Sequence, residues 1–167
     1  MQLPLPIHQV EDDTFDNFYA ENSLLLLDSL RHNFDDVQQP FFYIWGGKSS
    51  GKSHLLKAIC NHYLLNQRSS SYIPLDKSHY FAPTVLDNAE QLDVVCLDNL
   101  HAVAGDEEWE KAIFDLFNRI REQQGLFTQG QKTLLVISAD CPPHQLAIAL
   151  PDLRSRLTWG EVYRLND

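Results

Sequence analysis

The 167-residue chain is 44% hydrophobic and 22% charged, and its formal net charge is −10. That composition fits one soluble domain with a sizeable core. The acid excess excludes a general electrostatic grip on DNA, which needs clustered Lys and Arg, and no apolar run is long enough to span a bilayer. Residues 1–13 hold Pro4, Pro6, Asp12 and Asp13 with little periodicity, and read as a flexible tail. No cationic start followed by an apolar core occurs there, so no signal peptide is expected.

Residues 22–34 form the first predicted helix, capped by Asn22 or Ser23, with Leu24, Leu27 and Leu30 on its apolar face. Gln38-Gln39-Pro40 breaks it. Strand and helix then alternate. Residues 41–45 read as a strand and 52–66 as a helix. Tyr72–Leu75 reads as a short strand and 83–90 as a short helix. Val94–Leu97 is wholly apolar, as expected of a buried parallel strand. Residues 107–124 form a long helix with Trp109, Ile113, Leu116, Phe117 and Ile120 toward the core. Thr133–Ser138 is a further apolar strand, and Pro142-Pro143 opens a helix. A helical turn over 151–157 and a strand over Glu161–Leu165 complete the pattern. Such alternation predicts an α/β fold, a central parallel sheet with helices on both faces. Its connections should be right-handed.

Gly46-Gly47-Lys48-Ser49-Ser50-Gly51-Lys52-Ser53 fits the P-loop pattern G-x-x-x-x-G-K-[ST]. It lies between the strand 41–45 and the next helix, the context that gives the pattern meaning. Backbone N–H groups of such a turn and the positive helix end make a concave anion site. Lys52 is expected to reach the β- and γ-phosphates, and the Ser53 hydroxyl to ligate Mg²⁺. The plainer alternative is a Gly/Ser-rich turn without a ligand. Asp98, after the apolar strand, fits the acidic residue that holds Mg²⁺ through water at the end of a neighbouring buried strand.

Asn99 follows, where many ATPases carry a carboxylate. An amide cannot act as a general base near neutral pH, so slow intrinsic hydrolysis is expected. Ser138 is either a phosphate-sensing strand end or a hydroxyl that caps the next segment. Arg154 and Arg156 are either solvated charges or a source of an arginine finger for a neighbouring nucleotide. Cys60, Cys96 and Cys141 are widely spaced and odd in number, and read as reduced, mostly buried residues of a cytoplasmic protein. The histidines show no metal spacing; His54 and His62 read as packing residues.

Three stretches together resemble the AAA+ domain of the bacterial initiator DnaA. They are Thr14-Phe15-Asp16-Asn17-Phe18, Gly51 to Ala58, and Leu153-Arg154-Ser155-Arg156-Leu157-Thr158-Trp159-Gly160. The resemblance runs from about residue 14 to the end and implies a P-loop NTPase fold, the AAA+ base subdomain, over residues 14–167. It implies ADP or ATP with Mg²⁺ as ligands. Arg156 takes the finger position in the motif. Phe15 and Phe18 lie in the segment that walls the adenine, or are core aromatics.

Further features are similar to the shorter DnaA homologues that inactivate DnaA. Gln2-Leu3-Pro4-Leu5-Pro6 is similar to a peptide that docks on the DNA polymerase sliding clamp. A stiff, proline-bearing segment of this kind loses little entropy on docking. Asp98-Asn99 and Ala104 to Leu116 follow the same pattern, and no length remains for a C-terminal DNA-binding helix-turn-helix. The implied partners are the clamp and DnaA, without strong direct DNA binding. The chain ends where the family's helical lid would begin, which leaves apolar surface inviting self-association. Rival readings are a recruitment module without hydrolysis-stimulating activity, and a free-standing P-loop NTPase or kinase.

Overall fold

The computed structural model describes residues 24–125 and 130–165. Five strands, β1 (Phe41–Trp45), β2 (Ser70–Pro74), β3 (Val94–Asp98), β4 (Leu134–Ala139) and β5 (Glu161–Arg164), form one sheet in the order β2-β3-β4-β1-β5. Every pairing is parallel. The helices are α1 (Leu24–Phe34), α2 (Lys52–Leu65), α3 (Glu107–Glu122) and α4 (Pro151–Arg156).

Side-chain alternation along the strands explains the layers. Phe42, Ile44, Val94, Cys96, Leu134 and Val136 face Leu26, Leu30 and Phe34 of α1 and Leu55, Leu56 and Ile59 of α2. Their neighbours Phe41, Tyr43, Val95, Leu97, Leu135 and Ile137 face Trp109, Ile113, Leu116, Phe117 and Ile120 of α3 and Leu153 of α4. Both faces of each inner strand are therefore covered, which is why those strands read as continuous apolar runs. The result is the three-layer α/β fold expected of the sequence.

Several boundaries and one helix face differ from the sequence reading. In α1 the buried residues are Leu26, Leu30, Asn33 and Phe34, whereas Leu24 is exposed and Leu27 half-buried. Four consecutive leucines satisfy more than one helical phase, and Asn33 decides between them. Its Oδ1 accepts from the Gln38 and Gln39 N–H groups at 2.8 and 2.7 Å, fixing the turn that leads into β1. Strand β2 begins two residues early because Ser69 and Asp93 exchange hydrogen bonds of 2.9 Å at its foot. Pro74 ends it, on an edge strand where proline costs no ladder bond to a second neighbour. Segments 83–86, 89–91 and 143–145 are short 3₁₀ turns rather than α-helices.

Helix α3 begins at Asp106, whose carboxylate accepts from the Glu108 and Trp109 N–H groups. A cap of this kind contributes about 1 kcal/mol. Glu107, Glu108 and Glu110 in its first turn and Arg119 and Arg121 in its last complement the helix dipole. Gly160 is required by space: a Cβ there would lie 1.9 Å from the Phe41 carbonyl oxygen.

Candidate functional site

The carboxyl ends of β1, β3 and β4 converge on one cleft, where open parallel sheets place their ligands. Its volume is about 630 Å³, and its lining includes Lys48, Gly51, Lys52, Ser53, Asp76 and Asn99. The turn after β1 builds one wall. The Gly46 N–H donates to the Ala139 carbonyl at 3.2 Å, tying the turn to the end of β4. A Cβ on Gly46 would lie 2.4 Å from the Leu165 carbonyl oxygen, so only glycine fits. Residues 48–50 make one 3₁₀ turn, and Gly51 then takes φ +89°, a left-handed conformation that glycine adopts without strain. Helix α2 starts at the next residue and points its positive end into the cleft.

Lys52 is 6% exposed. Its Nζ donates to the Gly46 and Gly47 carbonyls, both at 2.6 Å, so the ammonium spans the turn it belongs to. Ser50 Oγ donates to the Gly47 carbonyl at 2.7 Å. Of the eight residues expected to cradle phosphate, Lys48, Gly51, Lys52 and Ser53 line the cleft, with Gly51 capping α2 and Lys52 and Ser53 opening it.

Asp98 is fully buried at the end of β3. Strand β4 lies between β1 and β3, so Asp98 stands two strands from the turn rather than on its immediate neighbour. Both carboxylate oxygens are engaged: Ser138 Oγ donates to Oδ1 and Tyr72 Oη donates to Oδ2. Ser138 is itself fully buried and accepts from the Asn99 N–H at 2.9 Å. Its hydroxyl therefore works between strand ends and does not line the cleft. Asn99 takes φ +62°, which aims its side chain at Asp76, with Nδ2 to Oδ1 at 3.3 Å. Burial, followed by the Asp98 bond and charge, holds the Tyr72 hydroxyl well above the usual tyrosine range.

The Ser53 hydroxyl, which lines the cleft, and the Asp98 carboxylate are hard oxygen donors of the type magnesium takes, so the donor types suit the ion, although Asp98 is fully buried and both its oxygens already accept hydrogen bonds. Among the described residues no cluster of three or more His, Cys, Asp or Glu side chains forms a separate metal site.

Arg156 lies at the end of α4. Its guanidinium stacks 4.0 Å from the Trp159 ring centre and 5.0 Å from that of Phe114, and Nε donates to Asn118 Oδ1 at 3.3 Å. Arg121 covers the same indole at 4.4 Å. No carboxylate among the described residues forms an ion pair with Arg156. Arg154 donates to the His144 and Ile148 carbonyls at 3.2 and 2.9 Å, which ties it to the loop before α4.

Tyr72, His101 and Glu110 are polar residues that sequence reasoning missed. His101 Nδ1 accepts from the Asp140 N–H at 3.1 Å inside the cleft. The parallel register that sets Pro74 beside Asp98 brings Tyr72 to the carboxylate, and that pairing follows only from the strand order. Phe15, Phe18 and the peptide Gln2-Leu3-Pro4-Leu5-Pro6 lie outside the described residues.

A glycine-rich turn between the first strand and a helix, on a 2-3-4-1-5 parallel sheet, defines a P-loop base of the AAA+ type. Residues 11–164 match the family model of the bacterial DnaA ATPase domain, and the chain belongs to that family. An uncharacterized protein of Haemophilus influenzae is 61% identical over 165 residues, which is 99% of this chain and 68% of that protein. AMPPCP-bound DnaA from Aquifex aeolicus superposes with a TM-score of 0.75 at 20% identity, over 91% of this chain and 49% of that one. Domain III of Thermotoga maritima DnaA superposes with a TM-score of 0.72 at 22% identity, over 92% and 67% respectively. The chain spans about half the length of the Aquifex DnaA chain.

Proposed function

We propose that this protein is a negative regulator of replication initiation, a DnaA homologue of the Hda type. It binds ADP or ATP in the cleft of residues 46–53. Lys52 swings from the Gly46 and Gly47 carbonyls to the phosphates, and Ser53 and Asp98 would hold Mg²⁺, which when bound offsets phosphate charge. Gln2-Leu3-Pro4-Leu5-Pro6 tethers it to the DNA-loaded sliding clamp. Arg156 is then offered to ATP held by DnaA and accelerates its hydrolysis. Work of this kind belongs in the cytoplasm, and free cysteines agree with a reducing compartment.

One observation carries the reading. Arg156 is a guanidinium without a carboxylate partner among the described residues, presented on aromatic faces at the end of a short helix. An arginine that merely stabilised the fold would be expected on carbonyls, as Arg154 is. The cleft's own Asn99, an amide beside the metal-site carboxylate, supports a protein that acts on a partner's nucleotide more than on its own.

The test is hydrolysis of DnaA-bound ATP with DNA-loaded clamp. Wild type should stimulate it. Arg156→Ala should lose the stimulation by about a thousandfold or more, the range reported for fingers supplied in trans, and keep nucleotide and clamp binding. A Gln2→Ala, Leu3→Ala double variant should lose clamp binding. Full stimulation by Arg156→Ala sinks the finger; stimulation by neither wild type nor variant leaves the recruitment module.

A further inference from the structure

We propose that Tyr72 sets how strongly nucleotide binding depends on magnesium, by holding the oxygen of Asp98 that the hydrated ion needs. The inference rests on the nucleotide reading of the cleft. Asp98 is fully buried and has two oxygens to offer. Ser138 takes Oδ1 and is fixed there, because it is buried and also accepts from the Asn99 N–H at 2.9 Å. Oδ2 is taken by the Tyr72 hydroxyl. The Ser53 hydroxyl, the other group whose chemistry suits Mg²⁺, lines the cleft at the start of α2. The phenol thus occupies the carboxylate oxygen left over once Ser138 is fixed on the other.

A hydrated magnesium ion approaches a buried carboxylate through the hydrogens of its water. The phenol O–H supplies an equivalent hydrogen already. Each carboxylate oxygen has a second lone pair, but Asp98 is fully buried, so no open side is left on Oδ2 and the two donors compete for one approach. Tyr72 is half-buried and anchored: it sits within β2, opposite Cys96 of β3, and Lys57 Nζ lies 5.6 Å from its ring centre. The ion enters only where this bond lengthens or turns aside. Phosphate contacts to the turn and Lys52 do not pass through Asp98 and are unaffected.

Removing the hydroxyl should unmask the metal. The measurement is the affinity of a fluorescent ADP for the whole chain, with EDTA and with millimolar Mg²⁺, for wild type, Tyr72→Phe and Tyr72→Leu. Wild type should gain less than about threefold from the metal and both variants about tenfold, since a hydrogen bond to a charged acceptor is worth about that factor. Affinities in EDTA should agree. Paramagnetic detection of Mn²⁺ in the ADP complex should show tighter metal in both variants. Equal metal gain in wild type and Tyr72→Phe overturns the proposal. So does a gain seen with Tyr72→Leu alone, which would assign the effect to ring bulk. If ADP binds to none of the three in either buffer, the nucleotide reading fails first. Melting curves show that each variant is folded; Tyr72→Phe, which keeps the ring, decides if Tyr72→Leu has unfolded.

Discussion

Cys141 is the most exposed of the three thiols, yet its surroundings make it the wrong target for an alkylating reagent. Burial, together with a hydrogen bond and charge from Asp140, pushes its thiol up to about 11. The thiolate is the nucleophile, so the raised value removes it at neutral pH. At pH 8 roughly one molecule in a thousand carries it, three units below the midpoint. Native protein should therefore label slowly with iodoacetamide near neutrality and faster as the pH approaches 11. Rapid stoichiometric labelling of Cys141 at pH 7, followed by peptide mapping, would contradict that. At this scale the phosphate turn was legible because its spacing is local: eight consecutive residues carry it. Tyr72 was not. Its partner Asp98 lies 26 positions away in the sequence, and a tyrosine in a strand looks like packing until the strand beside it is known.

Helix α3 shows what an element conceals. Read along the chain, Glu110 is one more acid in a helix first turn, placed to suit the dipole. In the fold it is 1% exposed and accepts from three backbone N–H groups: Gly105 at 2.6 Å, Ala149 at 2.9 Å and Leu150 at 2.7 Å. Two of these open the turn that starts α4. One carboxylate therefore sets where the helix bearing Arg156 begins. Glu110→Ala would strip those N–H groups of their acceptor; Gly105 and Ala149 are exposed and Leu150 half-buried, so water offsets part of a cost that runs to about 1–3 kcal/mol for each fully buried group. Denaturant unfolding should show a loss of about 1–2 kcal/mol. Glu110→Gln, which keeps one carbonyl oxygen, should lose less. A loss below 1 kcal/mol for the alanine variant would mean that the loop finds water instead. Helix α1 makes the complementary point. The residues that fix its phase, Asn33 and Phe34, follow the leucine run that dominates the pattern, so the helix was visible and its buried face was not.

For the whole molecule, the parallel sheet was legible because strands buried on both faces announce themselves as uninterrupted apolar runs. The order of the strands is a separate matter: the insertion of β4 between β1 and β3 depends on which crossovers pack, and periodicity along the chain does not encode that. Net charge belongs to this scale as well. At −10 the surface repels duplex DNA, and no element among the described residues is read as a DNA-binding surface. Duplex binding should be undetectable at physiological salt and should not rise steeply as salt is lowered. A strong log-log salt slope in a fluorescence anisotropy titration would revive a DNA-binding reading.

The stacking of Arg156 on Trp159 also has an optical side. Of the three tryptophans, Trp109 is buried in the core; Trp159 lies beneath Arg121 and Arg156, and Trp45, beside the phosphate turn, lies 5.0 Å from Arg164. Each of the two proposed functional surfaces thus carries its own native chromophore under a cation. A partner that draws Arg156 away changes the electrostatic field on one indole, and a nucleotide that settles on the turn changes it on the other. With Trp109 and one of the other two replaced by phenylalanine, the remaining indole reports on a single surface without an added dye.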